Sequence, residues 1–207
     1  ATFPFVFNTT SKTGIQSTGN TASGTNSMVM GFNTLASGDQ STAMGEDTKA
    51  LGDSSLATGD TTTASGANST AMGFNTTASG GESTAMGSGT NATGVNSTAM
   101  GGNTIASGLR STSMGIGTEA SGSYSTAMGD NTTAFGYAST AIGRFNVLNT
   151  GDNATTYAAT NTAFSIGNGT AAVSRSDAFK VLFNGTTTIS GSVTSESLNV
   201  TALNAVP

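Results

Sequence analysis

The stretch that decides the fold is Thr76-Thr77-Ala78-Ser79-Gly80-Gly81-Glu82-Ser83-Thr84-Ala85-Met86-Gly87. It holds two segments, Thr-x-Ala-Ser-Gly and Ser-Thr-Ala-Met-Gly, each closed by a glycine and separated by two variable residues. Working outward in both directions, glycine returns at every seventh position from Gly24 to Gly143 without an insertion. The two half-units alternate, so the period is fourteen, and nine copies lie between Thr18 and Gly143. A short fixed period of this kind is the signature of a solenoid.

A five-residue segment with period-two chemistry suits a short strand, and two residues leave room only for a tight corner. Each unit therefore reads as one coil with two short strands. The expected fold is an all-β parallel β-roll with 14-residue coils, each strand pairing with its equivalents in the coils above and below. At ~4.8 Å per coil, the array makes a rod on the order of 43 Å long. The closing glycines are expected at corners, where positive φ or a close backbone approach excludes a side chain. They are Gly31, Gly38, Gly45, Gly52, Gly59, Gly66, Gly73, Gly80, Gly87, Gly94, Gly101, Gly108, Gly115, Gly122, Gly129, Gly136 and Gly143.

Charge placement assigns the faces. The x of Thr-x-Ala-Ser-Gly carries Leu35, Lys49, Thr63, Asn91, Ile105 and Glu119, a mixture that only solvent accepts, so Thr and Ala of that half face inward. The other charges of the array, Asp39, Glu46, Asp47, Asp53, Asp60, Glu82, Arg110 and Asp130, fall in the two-residue links. The same rule turns Ser and Ala of the second half inward and leaves Thr and Met outward. The result is a stripe of Met30, Met44, Met72, Met86, Met100, Met114, Met128 and Ile142. A contiguous apolar face of that length is too large to stay wet, and three copies about an axis bury it in a closed homotrimer. Methionine suits such a seam because it adapts to uneven gaps. The competing arrangement places the methionine ladder inside the coil. It is opposed by the small interior, and by the burial of Lys49 and Glu119 that would follow if Met shared that interior with the variable position.

Composition narrows the function. The chain has 207 residues, 35% hydrophobic and 8% charged, a net charge of −5, and no His, Cys or Trp. Thiolate nucleophiles, disulfides, the usual zinc or haem ligands and a Ser-His-Asp relay are thereby removed. Six scattered Lys and Arg cannot neutralise a row of phosphates, so nucleic acid is not an expected partner. No apolar run approaches the ~20 residues of a membrane span. Glu46 and Asp47 are the one adjacent acidic pair in a link and read as solvated corner residues; no catalytic, cofactor or metal site is expected. Ranks of Thr raise an ice-binding alternative, but one rank should face inward and the other sits beside Met.

The ends depart from the period. Residues 1–17 hold Phe3, Phe5 and Phe7 alternating with Pro4 and Val6, read as an extended strand that caps or connects the first coil. The head proper spans 18–143. Residues 144–190 form a second segment. It is polar and turn-rich from Asn146 to Thr162, and then a hairpin is expected in which Phe179, Val181 and Phe183 lead to a type I′ turn at Asn184-Gly185 and a return over Thr186–Ser190. From 191 to 207 the irregular apolar residues Val193, Leu198, Val200 and Leu203 read as the start of a further fibre segment, and an opening at Ala1 reads as a piece of something longer.

Ser69-Thr70-Ala71-Met72-Gly73 followed by Ala78-Ser79-Gly80 resembles the head repeat of YadA-like trimeric autotransporter adhesins. The resemblance implies a left-handed parallel β-roll in each of three subunits, displayed outside the cell, and adhesion without catalysis to a host-surface, matrix or cell-surface ligand. The segments Phe164–Thr170 and Arg175–Gly185 are similar to a cassette found after such heads in surface proteins and in viral fibres, so a virion or phage fibre of the same architecture is the alternative. The chain departs from the family pattern where Thr replaces the common Val of the Met segment, where Leu51 and Phe135 replace Ser, and where Thr58 replaces Met.

Overall fold

A computed structural model describes residues 5–7, 15–17 and 19–192. Each 14-residue unit forms one coil of a parallel β-solenoid. The Met half makes a five-residue strand, such as Thr70–Phe74, which pairs in register with the next coil: Thr70 with Thr84, Ala71 with Ala85, Met72 with Met86. The other half makes a two-residue strand, such as Thr77–Ala78, flanked in parallel by Thr63–Ala64 and Asn91–Ala92. Among the described residues the long strands build a 14-stranded sheet, the short ones a 9-stranded sheet, and no helix occurs.

The strands are cut differently from the five-plus-two reading. In the Thr-x-Ala-Ser-Gly half only x and Ala are extended. The N–H groups of Ser79 and Gly80 both turn onto the carbonyl of Ala92, at 2.9 and 3.2 Å, so the backbone leaves the strand direction directly after Ala78. In the Met half the strand starts at Thr and takes in the first variable residue. Glu46, Asp60 and Asp130 are therefore the exposed or half-buried last residues of strands, and are not corner residues.

Small side chains fill the interior. The alanines of both halves, such as Ala71 and Ala78, are fully buried, together with Thr76 and its equivalents and Ser69 and its equivalents. How narrow this interior is can be read at Ser113, which stands in an alanine position: its hydroxyl reaches across the coil to the carbonyl of Thr118 at 2.9 Å and to that residue's Oγ1 at 2.7 Å. Methionine has no place inside such a coil. Some of the buried serines are satisfied locally, Ser27 and Ser41 donating to the carbonyls of Gly24 and Gly38 at 2.8 and 2.6 Å.

The stack continues beyond the strict array at both ends. Phe164 to Gly167 pairs in parallel with Thr140 to Gly143, a spacing of 24 residues in place of 14. The extra residues lie in the segment 145–161, where Asn146 and Asn161 are buried. The Asn146 amide imitates a strand: it accepts from Thr133 N–H at 2.7 Å and donates to Thr133 C=O at 2.9 Å, closing the last edge of the short-strand sheet. Strand Asp177–Leu182 then folds back antiparallel and pairs with Thr187–Ile189. The turn of this hairpin is not type I′. Only Gly185 has positive φ, +86°, while Gly185 N–H bonds Leu182 C=O and Leu182 N–H bonds Thr186 C=O, the pattern of a type I turn closed by a glycine bulge.

At the other end Ile15–Ser17 adds a parallel rung ahead of Met28, and Phe5–Phe7 lies antiparallel on it, so the expected capping strand sits one strand further out. Phe3, Pro4 and the apolar residues from Val193 onward lie outside the described residues.

Candidate assembly interface

Strand alternation places Thr, Met and the following variable residue on one face of the long-strand sheet, opposite the buried Ala. Parallel registry then stacks them into columns. The central column runs Met30, Met44, Thr58, Met72, Met86, Met100, Met114, Met128 and Ile142, and continues through Ile166 to Phe179 of the hairpin. Beside it the Thr column runs from Met28 through Thr42, Leu56 and Thr70 to Thr140, Phe164 and Val181. The methionines are half-buried in the single chain. Phe164 and Phe179 meet edge to face with centroids 6.2 Å apart. The central column is thus apolar, Thr58 apart, from the first coil into the hairpin.

A third column lies on the same face, at the strand ends. It carries the most exposed apolar side chains of the array, Phe32 at 71%, Phe74 at 56% and Ile116 at 63%, three coils apart, with Glu46, Asp60, Ser88 and Gly102 between them and Asp130 in the coil after Ile116. On the opposite sheet, the variable column mixes exposed Lys49 and Ile105 with half-buried Leu35, Asn91 and Glu119. Since the Thr76 rank is buried and the Thr84 rank adjoins Met, no outward strand of the array among the described residues pairs one Thr rank with another, the geometry an ice-binding face would need.

The closing glycines divide into two kinds. Those of the Met half, such as Gly87, are the fourth residue of a strand, with φ of +123° and an added Cβ 2.0 Å from the carbonyl oxygen of Gly101. Those of the other half, such as Gly80, lie at the corner without positive φ, and their added Cβ would stand 2.0 Å from the carbonyl oxygen of Gly94. At Gly136, where the next coil is replaced by the loop, the nearest atom is Asp152 Oδ2 at 3.0 Å. Gly31, Gly38, Gly45, Gly52, Gly59, Gly66, Gly73, Gly94, Gly101, Gly108, Gly115, Gly122 and Gly129 follow one pattern or the other, and Gly143 has φ of +93° against Gly167.

The left-handed corner position was not read from the sequence. It is the second variable residue of each link: Asn68 at +56°, Asn75 at +49°, Glu82 at +57°, Arg110 at +54°, Tyr124 at +61°. This conformation aims its N–H along the rod, where Asn68 donates to Asp53 C=O at 2.8 Å and Asn75 to Asp60 C=O at 2.9 Å. The signal was present: Asn26, Asn33, Asn68, Asn75, Asn96, Asn103 and Asn131 occupy that position, and Gly89 and Gly117 do so elsewhere, the residue types that enter the left-handed region most readily.

The corner acids have structural work. Asp39 accepts from Thr25 N–H at 2.8 Å and Asp53 from Asp39 N–H at 2.9 Å, each joining one coil to the one before. Asp47 accepts from the Asn33 amide, and at a strand end, outside the corners, Asp130 pairs with Arg144 at 2.9 Å. Among the described residues no three carboxylates gather as a cation site. In the C-terminal coils the corner turns aromatic: the Arg110 guanidinium lies 5.5 Å from the Tyr124 ring centroid and donates to its hydroxyl at 2.9 Å, and Tyr124 meets Tyr137 edge to face at 5.4 Å.

Arg175 ties the second segment to the array. It donates to the carbonyls of Asn131 and Asn146 at 2.9 and 3.1 Å and lies against the ring of Phe145. Next to it Asp177, buried beside Val147, accepts the Val147 N–H at 2.9 Å. Burial pushes its carboxyl above the usual range, with the Val147 hydrogen bond and the Lys180 charge opposing. No helix among the described residues is long and apolar enough to cross a membrane.

A coil of this length, with glycine-closed halves, an alanine interior and an apolar outer column, defines a β-roll head. The YadA head domain repeat matches in overlapping pairs of copies across residues 22–146, more than half of the chain. The chain belongs to the YadA head repeat family. No curated protein sequence matches it.

Proposed function

We propose that this chain is the head of a trimeric, surface-displayed fibre that mediates attachment without catalysis. The observation that carries the reading is the in-register apolar face, with Met100 at its centre, lying opposite an interior already filled by alanine, serine and threonine. A face of that extent needs a cover. A cover that follows it coil by coil needs the same axial repeat, which another copy of the chain supplies. Membership of the YadA head repeat family supports the adhesin-like surface role and an extracellular location. Three copies closed about the Met column leave the links and the short-strand sheet outward, where the variable residues lie and ligand contact falls.

The test is the native mass in solution by light scattering. About three times the 20.2 kDa chain is the expected result, and a well-folded monomer refutes the seam. Retention of the trimer on matrix- or cell-coated surfaces, lost on proteolysis of the head, tests attachment.

A further inference from the structure

We propose that the Leu56–Thr58 rung is a register key that fixes how copies of this chain align along the fibre; the inference rests on the trimeric reading above. Coils on either side present a small residue in the Thr column and a large one in the Met column. At this rung the order is reversed: Leu56 stands between Thr42 and Thr70, and Thr58 between Met44 and Met72. Both residues are half-buried on the outer face, with Ala57 fully buried between them, so the reversal lies wholly on the side away from the coil interior. Leucine and methionine have nearly equal volumes. The rung therefore keeps its total bulk while moving it two residues along the strand, ~6.6 Å.

The consequence follows from the regularity of the rest. Within the Thr and Met columns, where rungs are alike, sliding one copy by a whole coil sets Met against Met again and forfeits little more than the contacts of the end rung. A uniform face specifies register weakly. The reversed rung removes that near-degeneracy. In register, the Leu56 side chains of all copies share one height and the Thr58 side chains share it too. A slip of one coil sets Leu56 beside Thr42 or Thr70 of a neighbour and Thr58 beside Met44 or Met72, so large and small residues no longer match across the layer, one position crowded and the other left short, and both errors destabilise packing. A single exceptional side chain fixes coiled-coil register by the same logic.

The experiment uses the full chain. The parent and the doubly substituted Leu56→Thr/Thr58→Met chain, which restores the uniform pattern, are coexpressed with tags of different mass, and the assemblies are weighed by native mass spectrometry. Each is expected to form trimers with itself. Mixed trimers are expected to fall about tenfold below their binomial share, the factor that one misfilled layer carries. The single variants Leu56→Thr and Thr58→Met, one underfilled and one overfilled, are each expected to dissociate at lower temperature than either the parent or the double variant. Binomial mixing, with single variants that dissociate like the parent, overturns the register key and leaves the trimer standing. A monomeric parent overturns the trimeric reading and the key with it.

Discussion

Replacing Gly101 by alanine, with Gly102 as the neighbouring control, tests the geometry on which every coil depends. Gly101 has φ of +121°, and a Cβ there would lie 2.1 Å from the carbonyl oxygen of Gly115 and 3.0 Å from its carbon. Ordinary contact begins more than an ångström further out, and the obstructing atom is backbone, so no rotamer change relieves it. The rung joining Thr98–Gly102 to Thr112–Ile116 must open. The left-handed conformation costs an alanine about 1–2 kcal/mol and the overpacking about 1–3, so the loss is about 2–5 kcal/mol. For a chain of this size that lowers the melting temperature by about 5–15 °C. At Gly102 a Cβ meets nothing nearer than Ile116 Cγ1 at 4.0 Å, so Gly102→Ala is expected to leave stability within about 1 kcal/mol of the parent. Thermal unfolding of the full chain, followed by far-ultraviolet circular dichroism, separates the two. If Gly101→Ala melts within a degree or two of Gly102→Ala, the coil spacing described above is wrong.

Met100→Asp, on the outer face and clear of the coil interior, is expected to reduce the particle to monomers in light scattering while the β-sheet dichroism persists; an unchanged trimer removes Met100 from the interface. Thr61 is β-branched at φ of +56°, so Thr61→Asn is expected to raise stability by about 1 kcal/mol in urea unfolding, and a decrease would contradict the corner geometry. Burial raises the folded-state pKa of Asp177 above its unfolded value. Its contribution is therefore full below the unfolded value and is lost as pH rises through the folded one. Protection of the amides in the Asp177–Leu182 strand, with the intrinsic base-catalysed exchange rate divided out, is expected to fall from acid toward neutral pH, and Asp177→Asn to flatten that dependence; an identical protection profile in both chains counts against it.

The parts of this architecture that are legible in the sequence are those that repeat. Seven-residue glycine spacing and the alternation of Ala with Thr and Met sufficed for the coil, its length and its filled interior, because each error would recur along the rod and be visible as a broken pattern. Strand limits were not legible. Ser79 and Gly80 look extended by alternation, and only the shared acceptor at Ala92 shows the chain already turning. The left-handed corner was hidden by tolerance: Glu82, Arg110 and Tyr124 occupy it alongside Asn, since the hydrogen bond to the preceding coil offsets the conformational cost. Past Gly143 the period lapses, and contacts such as Asn146 to Thr133 or Arg175 to Asn131 join residues 13 and 44 apart with no recurring spacing to announce them. Thr58 was legible as a departure, but its opposition to Leu56 within one rung emerged only when the columns were aligned.

The direction of the hydrogen bonds has a mechanical consequence. Strands lie across the rod and their bonds to neighbouring coils run along it, so tension applied at the two ends of one chain loads successive rungs in series, each in the peeling geometry and not in shear. A lone solenoid would open at its weakest rung and unravel coil by coil. The two-residue strands add little to resist this. When side-by-side copies share a continuous apolar face, a coil can leave only by sliding its methionines out of a common seam, and the load is divided among parallel chains. For a tether that must hold while being pulled, cohesion between neighbouring chains sets its strength more than the bonds within any one of them.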